Sequence, residues 1–108
     1  MDAEIFVERR FGLGNEEVVA CFHAPTLAPG GEYQCRWRIK WPHQEQRHYA
    51  SGIDGVQALM LAMRTVHSEL VQTEAYQSGK LTYLKQRDLD LPPTWSAGPL
   101  CEAGPKVD

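Results

Sequence analysis

The chain has 108 residues, 43% of them hydrophobic and 23% charged, with a net charge of −3. Those values describe one globular domain and exclude a collagenous, low-complexity or intrinsically disordered chain, which would need far more Gly and Pro or far fewer aliphatic and aromatic residues. At this length roughly two-thirds of the unfolded surface can be buried on folding, enough for a core without disulfide or metal staples.

The charge is not evenly spread. From Met1 to Arg87 ten bases balance ten acids, whereas Asp88–Asp108 carries Lys106 against Asp88, Asp90, Glu102 and Asp108, so the whole surplus lies in that final stretch. Within the balanced part, Met1–Glu32 holds two arginines against six acids, and Tyr33–His48 holds Arg36, Arg38, Lys40 and Arg47 against Glu45 alone. No window approaches the run of about 20 apolar residues that a membrane span requires. The start MDAEIFVERR lacks a basic segment followed by an apolar one, so a cytoplasmic protein with no membrane partner is expected. Three cysteines, Cys21, Cys35 and Cys101, with no C-x-x-C spacing, fit thiols in a reducing compartment better than a disulfide framework or a zinc site.

In chain order, Ala3–Arg10 reads as a strand through Ile5, Phe6 and Val7, with Gly12-Leu13-Gly14-Asn15 as its turn. Glu16–His23 follows as a second strand, and Ala24–Gly31, with two prolines and paired glycines, as a loop. The third strand is the clearest signal. Tyr33, Cys35, Trp37, Ile39 and Trp41 alternate with Gln34, Arg36, Arg38 and Lys40, the period of two that puts one face on a core and the other in water. Pro42 ends it, His43–Gln46 is a polar connection, and Arg47–Ala50 predicts a short fourth strand. Asp54 is placed to cap a helix, with Gln57 completing a capping box and Ile53 serving as a hydrophobic staple. Val56, Leu59, Met60, Met63, Val66 and Leu70 form its apolar stripe, and Ser78-Gly79 its stop. Leu81, Tyr83 and Leu84 predict either a short last strand or an extended piece packed back on the sheet. Pro92, Pro93, Pro99 and Pro105 make the remainder irregular, anchored if at all by Trp95 and Leu100.

Strands first and one long helix afterwards define an α+β domain over residues 1–87: an antiparallel meander of three to four strands with the helix across one face, followed by a Pro/Gly-rich acidic tail over 88–108. Trp37 and Leu59 are then expected to meet in the core.

The stretches C-R-W-R-I (Cys35–Ile39), A-S-G-I-D-G-V-Q-A-L-M-L-A-M (Ala50–Met63), Y-Q-S-G-K-L-T-Y-L (Tyr76–Leu84) and D-L-D-L-P (Asp88–Pro92) resemble a family of small bacterial proteins known only as a domain of unknown function. The most distinctive part is G-[IV]-D-x-[VI]-Q-A-L-x-L-A, and the likeness spans roughly Tyr33–Pro93. Where a glycine often precedes the closing leucine-proline, this chain has Asp90. The resemblance implies a bacterial cytoplasmic origin and brings no catalytic residue, cofactor or substrate.

The chemical candidates are few. Gly52, Asp54 and Gln57 are explained by helix capping. His43 and His48 supply half of a tetrahedral metal set with no companion ligand at a recognised spacing, so no metal and no cofactor is expected. His67 sits at the apolar edge of the helix. Cys21 and His23 share a strand face at about 6–7 Å, too far apart for direct proton transfer. No nucleophile elbow, phosphate loop or dinucleotide fingerprint is present, and enzyme activity is the least supported class. What remains is the row Arg36, Arg38, Lys40 and Arg47, a candidate surface for a partner or an anion. Tyr33, Trp37 and Trp41 point away from that row, which weakens a nucleic-acid reading. The expected function is a non-enzymatic protein-interaction module, of accessory or immunity type, with an unidentified protein partner or a second copy of itself. The alternative is nucleic-acid binding through the same four cations. A more specific course has the acidic tail folding back over them, and a third class, small-molecule binding between helix and sheet, would need a cavity there.

Overall fold

The computed structural model describes residues 4–92. Four long strands, β1 (Ile5–Leu13), β2 (Glu16–His23), β4 (Tyr33–Lys40) and β5 (Glu45–Gly52), form an antiparallel meander, with a two-residue strand β3 (Thr26–Leu27) inside the proline loop. Helix α1 (Gly55–Val71), a single turn α2 (Glu74–Gln77) and strand β6 (Leu81–Thr82) follow. β2 and then β3 line one edge of β4, and β5 lines the other. β6 closes the far side by pairing Thr82 with Gly12 and Leu81 with Leu13 of β1. The expected α+β class and meander are therefore those of the molecule. β5 is twice the length predicted, because Trp41 N–H donates to the Gln44 carbonyl at 2.8 Å and so tightens the polar connection into a turn.

Residues opposite one another in an antiparallel register share a face. Phe11 with Val18, Ala20 with Ile39, Phe22 with Trp37 and Cys35 with Ala50 therefore lie together, and all except the half-buried Ala50 are buried. α1 covers this face over β4 and β5. Its buried residues are Ala58, Ala62, Val66 and Leu70, a line at i, i+4, i+8 and i+12. The predicted stripe is thus correct only at its C-terminal end. Val56 is 70% exposed, and Leu59 and Met63 pack at the margin of the core. Methyl side chains at 58 and 62 let the helix lie closer to the sheet than leucines would. The staple is also corrected, since Ile53 is 79% exposed.

α1 stops earlier than glycine spacing predicts. Thr73 Oγ1 donates to the Leu70 carbonyl at 2.7 Å and accepts from Tyr76 N–H at 3.1 Å, ending one helix and capping the next. Gly79, at φ 84°, ends that second turn.

The rest of the helix-side face is covered by 81–92. Leu81, Leu89 and Leu91 are buried in the core, Phe11 meets the Tyr83 ring edge-on at 6.0 Å, and Arg9 lies 4.3 Å over Tyr83. The core thus runs on to Leu91, past the point where the charge changes. The expectations for Trp95, Leu100, Cys101 and most of the Pro-rich tail lie outside the described residues. No helix among the described residues is long and apolar enough to cross a membrane.

Candidate functional site

Among the described residues no helix covers the opposite face of the sheet. Side chains reach it from alternate positions of each strand, and its two halves differ in charge. On β1 and β2, Arg10 pairs with Glu8 at 2.9 Å and Glu17 at 3.0 Å. The two carboxylates raise its already high pKa further, Glu8 most. On β4 and β5 the cations predominate. Arg38 and Arg47 stand directly opposite each other, an arrangement that is repulsive unless an anion intervenes. Glu45 Oε2 does so, 3.6 Å from Arg38 and 3.0 Å from Arg47. Arg36 and Lys40 form no ion pair among the described residues. All four predicted cations therefore lie on one face, with one carboxylate between two of them.

A groove of about 370 Å³ opens here, lined by His23, Arg36, Trp37, Arg38, Arg47, His48 and Tyr49. Beyond the three arginines, the sequence assigns none of these to this face, and two of the others bear most on the groove. Tyr49 lies across from Arg36, is 43% exposed and supplies the aromatic that β4 does not. Its signal was the register of a strand too short to place. His23 is nearly buried, with Nδ1 3.1 Å from the Glu4 carbonyl oxygen, and it forms part of the groove wall.

The two thiols among the described residues are packing groups. Cys35 donates through Sγ to the His23 carbonyl at 3.3 Å, and burial pushes its pKa up to about 11. Cys21 lies beneath the charged face, fully buried, and desolvation raises its pKa despite the opposing pull of Lys40. A protonated, enclosed thiol is a poor nucleophile. Among the described residues no three His, Cys, Asp or Glu side chains converge on a point that could hold a metal ion. His43 is exposed in the turn, while His48 stacks on Trp37 at 6.3 Å. His67 is half-buried, and desolvation lowers its pKa against the opposing influence of Asp88.

The first acids of the tail lie on the other side of the sheet. Asp90 lies 3.9 Å from Arg9, whose guanidinium also donates to the carbonyls of Leu89 and Asp90, and Asp88 Oδ1 accepts from Asp90 N–H at 2.8 Å. Asp88 and Asp90 are thereby removed from any fold-back over the cations, and Glu102 and Asp108 lie outside the described residues.

The sequence motif G-I-D-G-V-Q-A resolves into a joint. Gly52 ends β5, Asp54 caps α1 by accepting from Gln57 N–H at 2.9 Å, and Gln57 Oε1 accepts from Ile53 N–H at 2.8 Å. It contributes nothing to the groove.

Fold and site together define a two-layer α+β domain with one covered sheet face and one open, partly basic face. The chain belongs to the family described as Domain of unknown function (DUF6968), whose model matches residues 7–93 and so takes in β2, β4, β5 and the joint, with β1 from Val7 onward. No curated protein and no solved structure matches it.

Proposed function

We propose that this chain is a non-enzymatic interaction module, bacterial and cytoplasmic, whose working surface is the open face of β4 and β5 and whose partner is a protein presenting acidic residues. One observation carries the reading: Arg36, Arg38 and Arg47 surround a groove on the sheet face that no helix among the described residues covers. Arginine matches carboxylates with two parallel donors, and a shallow cleft with Tyr49 at its wall offers both charge and contact area. Buried, protonated thiols and the structural use of Gly52, Asp54 and Gln57 leave the chemical motifs of the sequence employed in folding. The test is an amide chemical-shift titration of the full chain with a glutamate-rich peptide at low salt. Shifts concentrated on 36–38 and 47–49 support the reading; shifts confined to α1, or none, overturn it.

A second reading has its own observation. Tyr49 beside Arg36 is the aromatic-plus-cation pair on which an unpaired base can stack. Binding of oligothymidylate, lost on Tyr49→Ala while the glutamate peptide still binds, would favour single-stranded nucleic acid.

A further inference from the structure

We infer that β5 is a docking edge, which takes an extended acidic segment of a partner as an additional antiparallel strand. The inference rests on the reading of the open face given above and specifies how the partner is held.

Among the described residues β5 pairs with β4 alone. The hydrogen bond from Trp41 N–H to the Gln44 carbonyl sets the phase of the ladder. With alternation along the register, Gln46, His48, Ala50 and Gly52 bond to β4, and Glu45, Arg47, Tyr49 and Ser51 turn their N–H and C=O groups outward. Tyr49 bears this out. Its N–H donates to His48 Nδ1 at 2.8 Å, a local bond that substitutes for a missing strand. Eight residues without proline, with backbone groups turned outward and the Tyr49 N–H held by a neighbouring imidazole, describe an edge that can be paired.

The two sides of that edge are unlike. The basic groove lies on the open face, and on the helix side Trp37, Gln46, His48, Thr65 and Glu69 line a second depression. The Trp37 indole N–H, in a residue 4% exposed, has no acceptor among the described residues. Trp37, Arg47, His48 and Tyr49 border both depressions. An added strand would therefore place alternate side chains in two different environments, which is how strand addition combines backbone affinity with sequence choice. Residues opposite Arg47 and Tyr49 fall on the basic face and should be acidic. Those between them fall beside Glu69 and should be uncharged.

The probe is an eight-residue peptide alternating Glu and Val, blocked at both ends, titrated at low salt into the full chain. Its counterpart is N-methylated at every Glu, which removes the donors that would face β5 and leaves the charge intact. The expected result is binding of the first peptide, slowed amide exchange at Arg47 and Tyr49, and affinity lower by about tenfold or more for the second. Tyr49→Pro removes an outward N–H without touching the β4 ladder and should weaken binding more than Tyr49→Ala, which removes the ring but keeps the N–H. Equal binding of both peptides overturns strand addition while the acidic-partner reading stands. Binding of neither overturns both. A dimer protecting the same amides without peptide assigns the edge to a second copy and overturns the inference.

Discussion

Gly52 and Ala58 are in closer backbone proximity than any side chain at position 52 would allow: a Cβ built on Gly52 would stand 2.5 Å from Ala58 N and 2.9 Å from the Gln57 carbonyl carbon. The end of β5 passes directly against the first turn of α1, and Ala58 is itself fully buried there. The atoms in the way are backbone, so no rotamer change relieves them. Gly52→Ala should cost about 1–3 kcal/mol through overpacking. Asp54→Ala, which removes a cap from an exposed turn, should cost about 1 kcal/mol. Urea denaturation of both variants checks the order. An alanine at 52 tolerated better than one at 54 would contradict the joint.

Leu84 and Lys85 form the centre of a two-residue reversal closed by mutual hydrogen bonds between Tyr83 and Gln86 at 2.9 and 3.0 Å. Both have positive φ, 52° and 70°, a conformation that suits Asn and Gly and strains a leucine. Leu84 is 75% exposed and gives up little packing if replaced. Leu84→Asn combined with Lys85→Gly should raise stability by roughly 1 kcal/mol. Thermal melts of the double variant decide it, and a lowered midpoint would show that these side chains contribute more than their exposure indicates.

Cys35 gives the molecule an alkaline sensitivity with a defined sign. In the unfolded chain the thiol ionises near its ordinary value of 9.0, while in the folded protein burial holds it protonated to about 11. Above pH 9 the unfolded state therefore gains charge that the folded state does not, and stability falls as pH rises from about 9 to about 11. Cys35→Ala lacks this component. The stability difference between wild type and variant, measured by denaturation at pH 7, 9 and 10.5, should narrow with rising pH. A constant difference would contradict a neutral buried thiol.

Much of the fold is legible in the sequence because its signals are local. The alternation from Tyr33 to Trp41 places Cys35, Trp37 and Ile39 in the core and Arg36, Arg38 and Lys40 on the other face, and Asp54 with Gln57 marks the helix start. The errors come from choices that packing makes. Ala58 and Ala62 give little hydrophobic signal yet form the helix face, because closeness to the sheet matters there more than side-chain volume. Leu89 and Leu91 look like part of an acidic tail until the uncovered face of β1 is known to need them. Asp90, at φ 57°, stands in the left-handed region that glycine enters without strain, at the place where the resembling pattern often has a glycine. For the site, the four cations were visible as a row, whereas Tyr49 became a neighbour of Arg36 only through the β4–β5 register.

The central claim is that the cations of the open face bind an acidic partner, and charge reversal at two exposed members tests it most directly. Fluorescence anisotropy of a labelled glutamate-rich peptide, at low and moderate salt, should show affinity reduced by about tenfold or more in Arg36→Glu with Arg47→Glu, and reduced by salt in the wild type. Lys85→Glu with Lys80→Glu, at exposed positions away from the groove, makes the same change in net charge and should bind as the wild type does. Equal losses in the two double variants, or no loss in the first, would contradict the assignment of this face as the working surface.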